Sequence, residues 1–349
     1  MNQDEAIYGA LLGGAVGDAL GLPYEGLPPA RAARMLGSPD RYRFFFGWGM
    51  VSDDTEHAAL VAEALARSAG EVQAFEQALV QGLRGWILSL PAGLGWATLR
   101  AGLKLVLGVP PYRRGVFSAG NGPAMRAAVI GATVSRQEQI LPLIQVSTRL
   151  THTDPKAEYA ALAVALATYL HKTAPLDGVV FLKQLQSLLP HHPAATELLT
   201  VLAGAHQHAL RGGSTFAYAA ELGLHSGVSG YAYHTVPAAL HSCFQHPRDL
   251  MTAVMEVIVC GGDTDTAGAI VGGILGAGTP LPEGWAQRLM EPDLNPAGLR
   301  TRARRAGLAV ATGQADQQRF GRPEGRVPRN LLFLGIVLVH GFRRLFPPY

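Results

Sequence analysis

Glycine recurs every fourth residue in two distant stretches of the chain: Gly9, Gly13, Gly17 and Gly21 near the N-terminus, and Gly268, Gly272 and Gly276 beyond residue 260. On an α-helix, residues four apart share a face, so each set draws a bare stripe along its helix. Glycine inside a helix costs roughly 0.5 to 1 kcal/mol relative to alanine, and a repeated cost needs a compensating gain. Close backbone approach is the gain on offer. The stripes therefore predict that the two helices pack against each other or against a shared neighbour, the first running toward a site and the second away from it. The end of the first, Asp18 to Glu25, then lies beside the start of the second, Asp263 to Thr266. Taken alone, the stripes are equally compatible with tight packing inside a helical core.

Helical spacing dominates elsewhere as well. It is plain in "AEYAALAVALATYL" (157–170) and "ATELLTVLAGAHQHAL" (195–210), while "AVMEVIVCGG" (253–262) is ambiguous with a strand. Proline and glycine clusters such as "GLPYEGLPP", "LGVPPYRRG" and "GTPLPEG" punctuate the helices. No repeat of long fixed period and no low-complexity tract interrupts them. With 48% hydrophobic and 16% charged residues, the 349-residue chain can bury a large core. The expectation is a single, compact, mostly α-helical domain over residues 1–349.

Other classes fit poorly. A net charge of +3 with scattered arginines is too thin a footprint for a nucleic-acid binder. The opening "MNQDE" is acidic where an export signal is basic. Cys243 and Cys260 form no redox or zinc spacing, which points to a reducing cytoplasm. At the other end, "LLFLGIVLVHGFRRLFPPY" holds an uncharged run only from Leu331 to Phe342, short of the roughly 20 residues that cross a bilayer. No transmembrane segment is expected, and burial of this stretch as a helix or strand is favoured over contact with a membrane surface.

Two acidic stretches carry the chemistry. In "VSDDTEHAALVAEAL" (51–65), Ser52, Asp53, Asp54 and Thr55 precede an amphipathic helix, with Glu56 available as a capping-box partner for Asp53. In "GGDTDTAGAIVGGILGAG" (261–278), Asp263 and Asp265 stand beside Thr264 and Thr266. One such cluster would usually be a helix cap. Two pairs of carboxylates with neighbouring hydroxyls offer more anionic oxygen than helix starts need, and hard divalent cations take about six oxygen ligands. Zinc is the weaker fit, since neither His57 nor Cys260 belongs to a paired spacing. In "SAGNGPAMRAA" (118–128), Gly120, Asn121 and Gly122 lead into a Pro-started helix, a pattern whose backbone N–H groups suit a phosphate. "THTDPKA" sets His152 and Asp154 ahead of another such helix, where a loop or core role for His152 is the plainer reading.

Taken in order, "GALLGGAVGDALGLPYEG", "SDDTEHA", "SAGNGPAMR", "THTDPKA" and "GGDTDTAGAIVGGILGAG" resemble the ADP-ribosylglycohydrolase family over roughly residues 4 to 290. The resemblance implies an all-α orthogonal helical bundle, with residues 291–349 as an extension packed on it. It implies two Mg²⁺ (or Mn²⁺) ions held by Ser52, Asp53, Asp54, Asp263, Asp265 and Thr266, with Gly120, Asn121, Gly122 and His152 along an ADP-ribose cleft. Glu25, otherwise an ordinary loop charge, would then be the catalytic acid or base, with Asp54 as second candidate. The implied partner is an ADP-ribosylated protein or other ADP-ribose conjugate. A non-catalytic ADP-ribose binder on the same scaffold and a metal-dependent nucleotide phosphohydrolase are the competing functions.

Overall fold

The two glycine stripes face each other. A Cβ added to Gly9 would lie 2.0 Å from the carbonyl oxygen of Gly276; at Gly13, 2.3 Å from that of Gly272; at Gly17, 2.0 Å from that of Gly268; and at Gly21, 2.2 Å from that of Thr264. As one residue number climbs by four its partner falls by four. The helices Gln3–Gly21 and Thr264–Gly276 therefore run antiparallel, backbone against backbone, with room between them for a hydrogen and nothing larger. The first helix ends where the second begins, as the stripes predict. The junction is tied by the Thr264 hydroxyl donating to the Gly21 carbonyl (2.8 Å), Gly26 N–H to the Gly262 carbonyl (2.7 Å) and Gly262 N–H to the Leu27 carbonyl (3.0 Å).

The structure, a computed structural model, describes residues 2–318, 320 and 326–348. Among these the architecture is all-α, helices joined by turns with only isolated β-bridges. The periodic stretches form Pro155–His171, Pro193–Leu210 and Leu250–Ile258, the last resolving as a helix the stretch that could have been a strand. Pro155–His171 is apolar on nearly every face, and it is accordingly buried through most of its length. One continuous hydrophobic core includes both glycine helices and this one. By length and composition the segment Gln3–Tyr24 could cross a membrane, yet 83% of its apolar window is buried against other helices.

The C-terminal stretch corrects an expectation. It forms the helix Arg326–Arg343, but among its residues only Asn330, Phe333 and Ile336 are buried, whereas Leu331 (57%), Leu338 (63%), Val339 (68%) and Phe342 (64%) are exposed. The helix meets the protein along one narrow face, and its apolar residues extend beyond that face.

The glycine seam sets a sharp test. Gly17→Ala should destabilise by roughly 1–3 kcal/mol, the usual cost of overpacking, despite alanine's better helix propensity. Gly85, inside the helix Val72–Leu88 with no atom within 4 Å of an added Cβ, should instead gain about 0.5–1 kcal/mol on change to alanine. Urea denaturation of both variants distinguishes a close-packed seam from ordinary helix content.

Candidate active site

The residues just past the seam, and those of the "SDDT" helix start, converge on one cleft of about 640 Å³. Its lining includes Glu25, Asp53, Asp54, Asp263, Asp265 and Thr266, together with Gly120, Asn121, Gly122 and His152. Ser52 lies immediately behind, bonded to Asp54. Every sequence-nominated site residue is thus brought to one place.

Asp18, which in the sequence only interrupts an apolar run, organises this floor. Its Oδ1 and Oδ2 each accept the Ser52 N–H at 3.0 Å, while Oδ2 also takes the Thr55 N–H (3.2 Å) and hydroxyl (2.6 Å). One buried carboxylate on the glycine helix therefore holds the neighbouring helix start in register. Burial outweighs these hydrogen bonds and pushes its carboxyl up to about 6. Ser52 is the N-cap, accepting the Asp54 N–H at 3.2 Å. The capping box imagined between Asp53 and Glu56 does not form, because Glu56 instead accepts from Trp86 Nε1 (2.6 Å) and Arg329 Nη1 (3.2 Å).

The carboxylates are linked through hydroxyls and an amide. Asp54 Oδ2 accepts from the Ser52 hydroxyl (3.0 Å) and the Thr266 hydroxyl (3.2 Å), and Asp263 Oδ2 accepts from Asn121 Nδ2 (2.7 Å). None of the ion pairs among the described residues includes Asp53, Asp54, Asp263 or Asp265. Burial first and mutual repulsion second push Asp53, Asp54 and Asp265 well above the carboxylate range. Glu25 is exposed on the cleft side and backed by protein. Loss of solvation by that protein and then the charge of Asp263 push its carboxyl up to about 7, against an opposing pull from Arg344.

A hard cation suits this arrangement. Asp54 Oδ1 and Asp265 Oδ1 are buried without any hydrogen-bond partner, a costly state that an ion would relieve. Among the described residues no three His, Cys, Asp or Glu side chains form an ion cage by themselves. The all-oxygen set is completed by the Ser52 and Thr266 hydroxyls, which is the donor chemistry of Mg²⁺ or Mn²⁺. His57 is no ligand here. Its Nδ1 faces Arg126 Nη1 at 2.9 Å, its ring meets Trp86 edge-on at 4.3 Å, and burial holds it neutral.

Arg126 is a second residue the sequence reading passed over. It is fully buried, with Nε on the Ser147 hydroxyl (3.0 Å) and Nη2 on the Ser147 carbonyl (2.7 Å) and Thr151 hydroxyl (2.9 Å). The Thr151 hydroxyl in turn meets His152 Nδ1 at 2.9 Å, so the cation sets the ring's position. The His152 ring lies flush against the glycine turn, where a Cβ at Gly120 or Gly122 would approach it to 3.1 or 3.0 Å. The turn does not open as a phosphate cradle in the expected way. Asn121 N–H donates to the Gly230 carbonyl (3.0 Å) and Gly120 N–H to the Ser118 hydroxyl (3.3 Å), and the helix that follows spans only Gly122–Met125. Gly230 belongs to a further wall, Ser226 to Gly230, which no sequence motif announced. It is pinned to the acidic loop by Asp263 N–H on the Val228 carbonyl at 2.7 Å.

The geometry agrees with comparisons to known proteins. Residues 1–319 match the family described as ADP-ribosylglycohydrolase, which extends the likeness beyond residue 290. An uncharacterized protein of Archaeoglobus fulgidus is 30% identical over 297 residues, covering 82% of this chain and 92% of that one. The ADP-ribosyl-[dinitrogen reductase] glycohydrolase of Rhodospirillum rubrum is 27% identical over 294 residues, covering 80% and 89%. A solved structure described as an ADP-ribosylglycohydrolase-related protein complex superposes with a TM-score of 0.63 at 25% identity, covering 88% of this chain and 99% of that one.

Burial, and next the nearby Arg126, lowers His152 to about 3. A depressed histidine stays unprotonated until the pH falls through its folded value, so the ring should remain neutral from pH 8 to 5, where an exposed histidine takes up a proton near 6.5. NMR titration of the His152 ring checks this, and an inflection near pH 6.5 would contradict the assigned environment.

Proposed function

We propose, from the premise that the chain belongs to the ADP-ribosylglycohydrolase family, that it hydrolyses the glycosidic bond between ADP-ribose and a modified protein or other acceptor. Two Mg²⁺ or Mn²⁺ ions would be held by Ser52, Asp53, Asp54, Asp263, Asp265 and Thr266. The observation that carries the reading is the pair of buried, unpartnered oxygens on Asp54 and Asp265 at the floor of a cleft of ligand size. Divalent ions at such a floor supply electrophilic stabilisation and make water more acidic.

The chain's own groups divide the remaining work. Cleaving the bond develops positive charge on the ribose, so the attacking water and the leaving group need a group that can move a proton. Glu25, at the open side of the cleft and raised toward neutrality, can hold or release a proton near pH 7, as a group exchanging protons with water or a leaving group must. Asp54 is less suited to that task. Its Oδ2 already accepts from two hydroxyls and its Oδ1 is sealed from solvent, so it serves as a holding group. Trp96, 80% exposed on the cleft wall, offers an aromatic face for a base or acceptor, while the buried, neutral His152 supports the glycine turn from behind.

The test is product analysis on arginine-, serine- and DNA-linked ADP-ribose conjugates with Mg²⁺, Mn²⁺ or EDTA. Free ADP-ribose should appear from at least one conjugate and vanish with chelator, whereas AMP and ribose phosphate would indicate a phosphohydrolase. Asp265→Asn should abolish turnover together with metal binding, measured by calorimetry. Glu25→Gln should keep ADP-ribose affinity and lose about 10²–10⁴-fold in kcat, the usual worth of a general acid or base. Undiminished turnover in both variants rejects the assignment.

A further inference from the structure

The C-terminal helix lies beyond residue 319, where the family match stops. Its inner face is nevertheless packed on the residues that lead to Glu25 and to Ser52. Phe333 and Ile336 form a small second core with Leu22, Phe44 and Met50. Leu22 stands three residues before Glu25, and Met50 two before Ser52.

Polar contacts repeat the pattern. Arg329 donates to the Val51 carbonyl (2.5 Å) and pairs with Glu291 (2.5 Å), while Glu291 accepts the Val51 N–H (3.0 Å). The two peptide groups flanking Val51 are therefore each held. His340 Nε2 meets the Phe44 carbonyl at 2.8 Å with its ring stacked on that of Phe44. One turn further, Arg344 Nη2 donates to the Pro23 carbonyl at 3.2 Å, and Nη1 would lie 3.7 Å from a Cβ on Gly26. Arg31 Nη2 donates in turn to the Arg344 carbonyl. The guanidinium thus reaches from Pro23, two residues before Glu25, to Gly26, the one after it.

We infer that the C-terminal helix is a strap that fixes the Glu25 loop and the approach to the Ser52 helix start, and that Arg344, just past its end, is the positioning residue for Glu25. The loop Pro23–Gly26 has no other charged side chain bonded to its backbone among the described contacts. Arg344 forms no ion pair with Glu25, so it acts through the loop's backbone. A positive charge there also keeps the loop from being driven outward by Asp263 and Asp265.

This rests on the hydrolase reading, and its test separates the two. Arg344→Met should lower kcat on the preferred ADP-ribose conjugate by up to roughly 100-fold, the cost of a 1 Å misplacement. KM and the melting temperature should hold, and Arg344→Lys, which can still donate to the Pro23 carbonyl, should recover part of the loss. Hydrogen–deuterium exchange of metal-loaded full-length protein should quicken at residues 22–28 in Arg344→Met and stay unchanged in the seam helix 264–276. Unchanged kcat, an equal loss in Arg344→Lys, or unaltered exchange at 22–28 would each overturn the strap. Were the wild type silent on every conjugate, the hydrolase reading would fail, while the exchange result would still decide for or against the strap.

Discussion

Everything about the cleft follows from the contact between glycine Cα atoms and carbonyl oxygens along the two antiparallel helices. Side chains normally hold helices 8–10 Å apart. Here seven glycines remove them, and the paired backbones leave the helix ends nowhere to diverge. The loop after Gly21 and the turn before Thr264 are therefore forced to share one spot, and short bonds between Gly26, Leu27 and Gly262 lock them. Gly261 and Gly262 both sit at positive φ, which lets the chain turn sharply enough to enter the second helix there. Charges more than two hundred residues apart thus become neighbours through packing that contains no charge at all.

That packing also accounts for the unusual electrostatics. Folding around the seam buries like charges together, an arrangement that would ordinarily be avoided. Asp18 shows how it is tolerated: its oxygens are filled by backbone and hydroxyl donors from Ser52 and Thr55, so it acts as a fastener. Asp54 and Asp265 are different, because each keeps one oxygen with nothing to bond. Arg126 stands close enough to Asp53 to be felt, yet its own donors are turned to Ser147, Thr151 and His57. That cation thus stabilises the wall, and none of the ion pairs among the described residues includes Asp53, Asp54, Asp263 or Asp265. A stable core and a destabilised floor belong to the same design, since only a rigid frame keeps repelling groups in place.

Much of this was legible in the sequence for a physical reason. The glycine seam is written in a period of four, and its register follows from helix geometry alone. The acidic helix starts are visible because two of them exceed what capping requires. Other parts could not be read in this way. Asp18 differs from a stray charge only through partners thirty-four and thirty-seven residues away. The wall from Ser226 to Gly230 contributes backbone, which leaves little imprint on residue type. The glycine turn at 120–122 misled because its pattern matches an anion cradle, whereas two of its N–H groups are already engaged by Ser118 and Gly230. The burial expected for the C-terminal stretch failed similarly: apolar composition does not specify which face a helix buries.

The C-terminal helix shows why its inner face matters more than its composition. Arg329, Phe333, Ile336, His340 and Arg344 follow at intervals of three or four and so share one side. Arg329, His340 and Arg344 reach Val51, Phe44 and Pro23, which lie in short turns and loops that lead to the cleft. Segments like these have low local stability because few of their backbone groups pair within a helix. The glycine seam fixes only their ends at residues 21 and 264. Beyond the bonds of Gly26 and Leu27 to Gly262, the loops are held by this helix, against repulsion among the very groups the cleft collects. A helix added past the family's common length, with cations at both ends and a small apolar core between them, meets both requirements.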